Sequence, residues 1–320
     1  MARDVIIDCD TGMDDAVALL LALRSPEFNV LGITCVNGNV GLDNVVHNTL
    51  RVVEQSGKHV PVFAGARSAL LVAPDENASK VHGSDGLGGI PLPEPKHSVE
   101  NEHAVDFIVR TFMEAREPMD WITIGPLTNA ALALRKEPRI VKNIRLLTMM
   151  TGGVDSGNTR PMSEFNIYAD PDAARIIFDS DINKMMVPLD PLFNGGYLKF
   201  SDQQKIKDSG DKPWCKVAGM IFDVTHEVVH KLGRKQVNEE GAVSPPDLLA
   251  VAAAIDPSIM GIENYQIQIE TRGEFTRGMT VVDRRKYHRG EPVSGRKEVM
   301  VVLGADQKKY SELVLNTWLA

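Results

Sequence analysis

Short runs of β-branched and apolar residues alternate with longer stretches of helical periodicity through the first 190 residues, and this rhythm constrains the fold more than any other feature. Val5–Cys9 is followed by Ala16–Leu23, Val30–Cys35 by Asn44–Gln55, and, after Val60–Ala64, Trp121–Ile124 by Ala130–Arg135. Ile144–Met149, a helix over Pro171–Phe178 and a strand at Met185–Val187 continue the series. Strands separated by helices pair through crossovers rather than hairpins, which gives a parallel sheet with helices on its faces. The expected fold is α/β, a single domain over residues 1–320 with a mostly parallel central sheet flanked by helices. Trp214–Gly233 and Pro246–Ile255 read as helices beside that sheet, the second with prolines at its entrance. Tyr265–Ile269, Met279–Val282 and Val299–Val302 read as later strands, before a last helix over Asp306–Leu319. Ala66–Pro95, rich in Gly, Pro, Ser and Asp, reads as a long surface loop, and structureless segments of that length are more often functional than idle.

The sharpest local signal lies at the end of the first strand. Asp8, Asp10, Asp14 and Asp15 fall within eight residues, on the turn into the following helix. Open α/β sheets bind ligands at the carboxyl ends of their strands, and this turn is such an end. Like charges this close repel one another unless a cation or a shared proton offsets the repulsion. A set of oxygen ligands suits Ca²⁺ or Mg²⁺ rather than zinc. Complementing a helix dipole, worth about 0.3–1 kcal/mol at an exposed site, accounts for one or two of these acids but not for all of them.

Composition narrows the partners. With 320 residues, 43% hydrophobic and 24% charged, the chain can bury a full core and has no compositional mark of disorder. A net charge of −8 with no basic stripe argues against nucleic acid and leaves small molecules as the expected ligands. Cys9, Cys35 and Cys215 are odd in number and lack metal-like spacing, so they read as reduced core thiols. The start Met1-Ala2-Arg3-Asp4 matches neither a secretory signal nor a transit peptide, and no stretch is long enough to cross a bilayer. A cytoplasmic location is the default expectation.

Three later segments repeat the pattern of a β-run ending in polar residues or glycine. Val36-Asn37-Gly38-Asn39, Gly125-Pro126-Leu127-Thr128-Asn129, and Gly152-Gly153 leading to Gly157-Asn158 and Ser163-Glu164-Phe165-Asn166 each follow a strand. Placed after successive strands, they collect on the same sheet edge as the acids. Side-chain amides beside a carboxylate match a polyhydroxyl ligand, whose hydroxyls donate to carboxylates and accept from amide NH₂ groups. A sugar is expected. Taken singly, Asn-Gly is above all a turn signal and a lone Glu is most often a solvated surface acid.

Asp8-Cys9-Asp10-Thr11-Gly12-Met13-Asp14-Asp15, His82-Gly83-Ser84-Asp85-Gly86-Leu87-Gly88, Gly125-Pro126-Leu127-Thr128-Asn129 and Glu164-Phe165-Asn166-Ile167-Tyr168-Ala169-Asp170-Pro171 occur in this order, and in both content and order the chain resembles the inosine-uridine-preferring nucleoside hydrolases over nearly its whole length. The resemblance implies that the protein hydrolyses the N-glycosidic bond of a ribonucleoside to ribose and free nucleobase. It implies a Ca²⁺ held by Asp10, Asp15 and Asp247 with the backbone carbonyl of Ile124, and Asp10 as the general base that takes a proton from a metal-bound water. It places Asp14, Asn39, Asn158, Glu164, Phe165, Asn166 and Asp247 around the nucleoside, Asp8 behind the metal ligands, and His82 near the base. The loop setting of His82 argues against a core role. A homodimer or homotetramer in a nucleoside-salvage setting is implied on the same ground.

One departure stands out. Many members carry a histidine just before the last metal aspartate as the leaving-group acid, whereas this chain reads Ser244-Pro245-Pro246-Asp247, and Pro246 cannot donate a proton. His226 and His230, spaced i and i+4 on one helix face, are the candidate substitutes, against the plainer reading of an amphipathic helix with two exposed imidazoles. Two other functions compete. Asp8-Cys9-Asp10 after an apolar strand also opens Mg²⁺-dependent aspartyl-nucleophile phosphatases, but these expect Thr or Val where Gly12 stands and leave Asn39, Glu164 and the His82 loop without a task. A nucleoside- or ribose-binding protein that kept the sugar grip and lost leaving-group activation is the second.

Overall fold

The computed structural model describes residues 2–72, 77–231, 241–285 and 298–320. In chain order the elements are β1 (Arg3–Cys9), α1 (Met13–Arg24), β2 (Phe28–Cys35), α2 (Leu42–Gln55), β3 (Val62–Ala64), α3 (Ser79–His82), α4 (Ala104–Glu114), β4 (Met119–Thr123), α5 (Thr128–Lys136) and β5 (Ile144–Met150). They continue with α6 (Phe165–Ala169), α7 (Pro171–Phe178), β6 (Lys184–Val187), α8 (Phe200–Asp208), α9 (Pro213–Lys231), α10 (Pro246–Ile255), β7 (Met260–Tyr265), β8 (Ile267–Ile269), β9 (Thr280–Val282), β10 (Val299–Ala305) and α11 (Gln307–Leu319).

The main sheet has eight strands in the order β3-β2-β1-β4-β5-β6-β10-β7. All neighbours are parallel except β7, which runs antiparallel to β10 at one edge. From β1 the chain winds outward to β2 and β3, then returns to lay β4 on the other side of β1 and winds the opposite way. The strand order therefore reverses between β1 and β4, and a crevice opens beyond their carboxyl ends, the place where open α/β sheets bind ligands. Both halves of the acid-rich turn follow β1, and Ile124 follows β4.

Successive side chains of β1 point to opposite faces, so Val5, Ile7 and Cys9 join one core and Ile6 the other. The first core is closed by α1, α2, α9, α10 and α11, and the second by α4, α5 and α7. α10, Pro-Asp-Leu-Leu-Ala-Val-Ala-Ala-Ala-Ile, is buried on nearly every side, and its alanines let it pack closely on α1. Cys9, Cys35 and Cys215 are free and buried, as expected of core thiols. No helix among the described residues is long and apolar enough to cross a membrane.

The α/β architecture and its mostly parallel sheet are those the sequence predicts, with local differences. The run read as one strand over Tyr265–Ile269 is broken: β7 ends at Tyr265 on the main sheet, and β8 pairs with β9 in a separate ribbon. The chain turns at Gln266, whose carbonyl accepts from Asp283 N–H at 3.0 Å, a tie that period-2 patterning cannot reveal. β4 stops at Thr123, and Ile124 lies just beyond it with its N–H donating to the Asp8 carbonyl at 2.8 Å. α9 spans Pro213–Lys231, and Gly233, read as its end, lies outside the described residues, as do residues 73–76 of the Ala66–Pro95 loop. That loop contains the turn of helix α3. Besides α3, three helices, α4, α6 and α8, have no counterpart in the sequence reading.

α4 packs its Phe107 on Phe63 of β3 with ring centroids 3.9 Å apart, directly over Gly32. A β-carbon at Gly32 would stand 2.5 Å from the Phe107 ring. Gly32→Ala is therefore expected to destabilise the fold by about 1–3 kcal/mol through overpacking. Urea unfolding checks this, and an unshifted midpoint would contradict the packing account.

Candidate active site at the sheet crevice

The acids at the crevice are held by amides and hydroxyls. Asp8 is fully buried; its Oδ1 accepts from Asn129 Nδ2 at 2.8 Å and from the Thr34 hydroxyl, while its Oδ2 has no partner. Burial pushes its carboxyl up to about 7 against the pull of those two hydrogen bonds. Asp10 Oδ2 accepts from Asn39 N–H at 2.7 Å, and its buried Oδ1 has no partner. Asp15, in the first turn of α1, turns back so that Oδ1 accepts from Asp10 N–H at 3.1 Å and Oδ2 accepts from Gly12 N–H at 2.8 Å and Asn39 Nδ2 at 3.1 Å. Gly38 makes this closeness possible, because a β-carbon there would lie 2.0 Å from Asp10 Oδ2.

Asp247 arrives from the far end of the chain, in the first turn of α10 behind Pro246. Asp14, Asp15 and Asp247 each offer a carboxylate oxygen, and these lie within 4.8 Å of one another. Burial first, and the neighbouring acids second, push Asp10 and Asp247 well above the ordinary carboxylate range and Asp15 up to about 7. Among the described residues no Lys or Arg is bonded to any of them, so bound protons or a bound cation must offset the charge. A cluster of hard oxygen donors with an orphaned Asp10 Oδ1 beside it fits a divalent ion of the Ca²⁺ or Mg²⁺ kind.

A cavity of about 650 Å³ opens over this cluster. Asp14, Asn39, Ile124 and Asp247 line its acidic end, and Asn158, Glu164, Phe165 and Asn166 an adjoining wall. Asp10 and Asp15 lie beneath, nearly without exposure. Glu164 caps α6: Oε1 accepts from Asn166 N–H at 2.8 Å, and Oε2 accepts from Gly152 N–H at 2.8 Å and Ile167 N–H at 3.2 Å. Burial nevertheless pushes it up to about 7. The Asn166 amide donates to the carbonyls of Ile124 at 3.1 Å and Met150 at 3.0 Å, tying β4 and β5 together. Asn158 is exposed, and its Oδ1 accepts from Phe165 N–H at 2.9 Å.

The histidines divide. His82, read as a loop residue near the nucleobase and outside the core, ends α3 and is buried under the start of α1. Its Nδ1 accepts from Met13 N–H at 3.1 Å, 3.7 Å from Asp14 Oδ1, so the neutral ring carries its proton on Nε2. Gly12 leaves room for this ring, since a β-carbon there would lie 2.7 Å from Nδ1. His226 is half-buried on α9 and lines the cavity with Ile221 and Thr225. His230 is exposed and is not among the lining residues, so the structure does not bring it to the site.

Some structuring residues lay in the motifs without an assigned task. Asn129 bridges three strands' worth of chain: besides Asp8 it donates to the Cys35 carbonyl at 3.0 Å, and its Oδ1 accepts from Ala66 N–H at 2.9 Å. Asp170 Oδ2 accepts from Leu70 N–H at 2.9 Å and Thr128 Oγ1 at 2.8 Å. Together they fix the root of the loop that carries His82. Gln203, bonded to His226, had no signal in the sequence.

A mostly parallel sheet whose switch point holds buried acids under an amide-lined cavity is the arrangement of an α/β enzyme, with an acidic group that could hold a metal ion. The profile of the family described as "Inosine-uridine preferring nucleoside hydrolase" matches residues 5–312, and the chain belongs to that family. It is an enzyme acting on N-glycosyl bonds, and its reaction is the hydrolysis of a ribonucleoside to ribose and base. An inosine-uridine preferring nucleoside hydrolase from Leishmania major is 39% identical over 311 residues, covering 96% of this chain and 95% of the relative. A pyrimidine-specific ribonucleoside hydrolase from Photobacterium profundum is 36% identical over 288 residues, 89% of this chain and 90% of the relative. Among solved structures, a plant nucleoside hydrolase superposes with a TM-score of 0.91 at 27% identity over 100% of both chains. A purine-preferring ribonucleoside hydrolase from Gardnerella vaginalis gives 0.87 at 29% identity, covering 99% of this chain and 100% of that one. This membership sets aside the phosphatase and the non-enzymatic readings.

The buried charge has a pH signature. The raised pKa of Glu164 means that the folded state holds its proton more tightly than the unfolded chain, so the group costs nothing below its ordinary pKa of 4.5 and destabilises increasingly as pH rises through about 7. In chelator-treated protein, Glu164→Gln should therefore lose less stability between pH 5 and pH 8 than the unsubstituted chain, by about 2–4 kcal/mol. Thermal melts across that range test it, and parallel declines would remove the penalty from Glu164.

Proposed function

We propose that the chain hydrolyses ribonucleosides in a Ca²⁺-dependent reaction with Asp10 as general base. The observation that carries this is Asp10 Oδ1, a buried carboxylate oxygen with no protein partner, beside the group Asp14, Asp15 and Asp247. Asp10, Asp15, Asp247 and the Ile124 carbonyl are the proposed ligands, with Asp14 bordering both ion and sugar. A bound Ca²⁺ would neutralise the buried acids and lower the pKa of a water in the site.

The remaining steps belong to the chain's own groups. Asn39 N–H fixes Asp10 through Oδ2 and so aims Oδ1 as the proton acceptor. Asp14, Asn39, Asn158, Glu164 and Asn166 hold the ribose hydroxyls, and Phe165 packs beside them. Bond cleavage builds positive charge on the sugar, and the Glu164 and Asp14 carboxylates stabilise that oxocarbenium-like state. Asp8, bonded to Asn129 and Thr34, backs the ligand set. On the base side Pro246 offers no proton, and His82, which lines the cavity, is the residue placed beside the nucleobase in this reading. A homodimer or homotetramer working in the cytoplasm belongs to the same reading.

Ribose release from a nucleoside panel, with and without chelator and with Ca²⁺ or Mg²⁺ restored, tests the proposal. Chelation should abolish turnover and Ca²⁺ should restore it; turnover indifferent to metal removal would rule the mechanism out. Asp10→Asn should keep the melting temperature within a few degrees and lower kcat by about 10²–10⁴-fold, the span of general-base contributions. Near-normal turnover in that variant would take the base role from Asp10.

A further inference from the structure

The wall of the cavity that carries Asn158 is built differently from the rest of the site. Asn158 stands in an irregular segment between β5 and α6, is exposed, and lines the cavity. Its Oδ1 accepts from the Phe165 N–H at 2.9 Å and from the Thr159 hydroxyl at 3.2 Å. A backbone N–H only donates, so the amide oxygen is fixed toward Phe165 and the NH₂ is what Asn158 offers a ligand. The segment folds around Ser163, whose carbonyl accepts from the N–H groups of Asn158, Thr159 and Arg160, each at 3.2 Å. Gly157 is enclosed by this fold: a β-carbon there would stand 2.3 Å from the carbonyl oxygens of both Arg160 and Ser163. Ser163 is in turn fastened from outside. It is buried, its hydroxyl donates to the Arg277 carbonyl at 2.7 Å, and its backbone forms an antiparallel bridge with Met279. Arg277 and Met279 lead into β9 of the small ribbon, and β8 anchors that ribbon in the second core through Ile267 and Ile269. The ribbon also packs Thr280 against Gly152, where a β-carbon would lie 2.7 Å from the Thr280 hydroxyl oxygen, and pairs Arg284 with Asp155 at 2.5 Å.

We infer that Ser163 is a positioning residue for substrate, which holds Asn158 to the β8–β9 ribbon and so sets how well the Asn158 amide meets the sugar. The inference rests on the reading that Asn158 holds a ribose hydroxyl. Ser163 does not itself line the cavity. The other sugar-facing amides are tied to groups at the strand ends, Asn39 to the Asp10 carbonyl and Asn166 to the carbonyls of Ile124 and Met150. Among the described residues Asn158 has no such tie, and its place depends on the segment that Ser163 gathers. Without the Ser163 hydroxyl that segment loses its side-chain link to the ribbon and samples more conformations, and ordering it again on binding costs affinity. The ribbon, which contributes no residue to the cavity, thereby controls one of its walls.

The test is a double-mutant cycle in the metal-loaded enzyme, run on the ribonucleoside that the unsubstituted enzyme cleaves best. Ser163→Ala should lower kcat/KM by about tenfold, and Asn158→Ala by at least as much. In the Asn158→Ala background, adding Ser163→Ala should cost less than about twofold, because the side chain through which Ser163 acts is gone. A residue that only supports the fold lowers activity equally in both backgrounds. Equal losses would therefore overturn the inference, as would a Ser163→Ala enzyme within twofold of the unsubstituted one. Hydrogen exchange in the unsubstituted protein gives a reading independent of any variant's folding: the amides of Asn158, Thr159 and Arg160 should be protected, and exchange at the rate of an unstructured chain overturns the inference. Unchanged kcat/KM in Asn158→Ala alone is a separate result, which takes Asn158 out of the sugar site; it contradicts the proposed function, and the inference falls with it.

Discussion

The structure turns on a concentration of negative charge where water cannot reach it. Asp8, Asp10, Asp15, Glu164 and Asp247 are all nearly inaccessible, and their partners are amides, hydroxyls and backbone N–H groups rather than cations. Moving an ionised carboxylate out of water is costly unless a counter-charge accompanies it. Such an arrangement persists in a folded chain only where the rest of the protein is stable enough to carry it. The two cores packed on either face of the eight-stranded sheet supply that stability, and the switch point between β1 and β4 supplies the opening.

Around the acids, the scaffold works through close approach. Gly38 and Gly12 leave space that any β-carbon would fill, one for Asp10 and the other for the His82 ring. Asn39, Asn129 and Asn166 each join chain segments that are distant in sequence, and each uses its carboxamide where an aliphatic residue would leave carbonyls or carboxylates unpaired. The electrostatics of the site and its rigidity therefore come from the same side chains: the amides that orient the carboxylates also hold the strand ends together.

Much of this was legible in the chain. The Asp8-to-Asp15 run and the alternation of strands and helices placed the acids at the end of β1, and the ordered motifs brought Asn39, Glu164, Asn166 and Asp247 to the same crevice. What escaped did so for identifiable reasons. α8 buries only Asp202, Gln203 and Ile206, too few apolar positions to register as an amphipathic period. His82 stands in glycine-rich sequence, and only the tertiary contact with Met13 N–H shows that it is interior. His226 and His230 are equivalent by spacing, yet one meets Gln203 at the cavity and the other faces water. Asn129 and Asp170 were visible as motif letters, but their work is to bond backbone N–H groups of a distant loop, and backbone donors leave no trace in residue identity.

The cavity has two kinds of wall. Asp247 is carried by α10, which is sealed against α1 and the sheet on nearly every side, so the acid cannot shift without repacking the interior. His226 rides on α9, which is packed along one flank and solvated along the other. Substitutions around Asp247 therefore disturb the core, while those on the outer flank of α9 are absorbed at the surface. A chain built this way can vary the α9 wall of its cavity while the acids at the sheet crevice stay fixed.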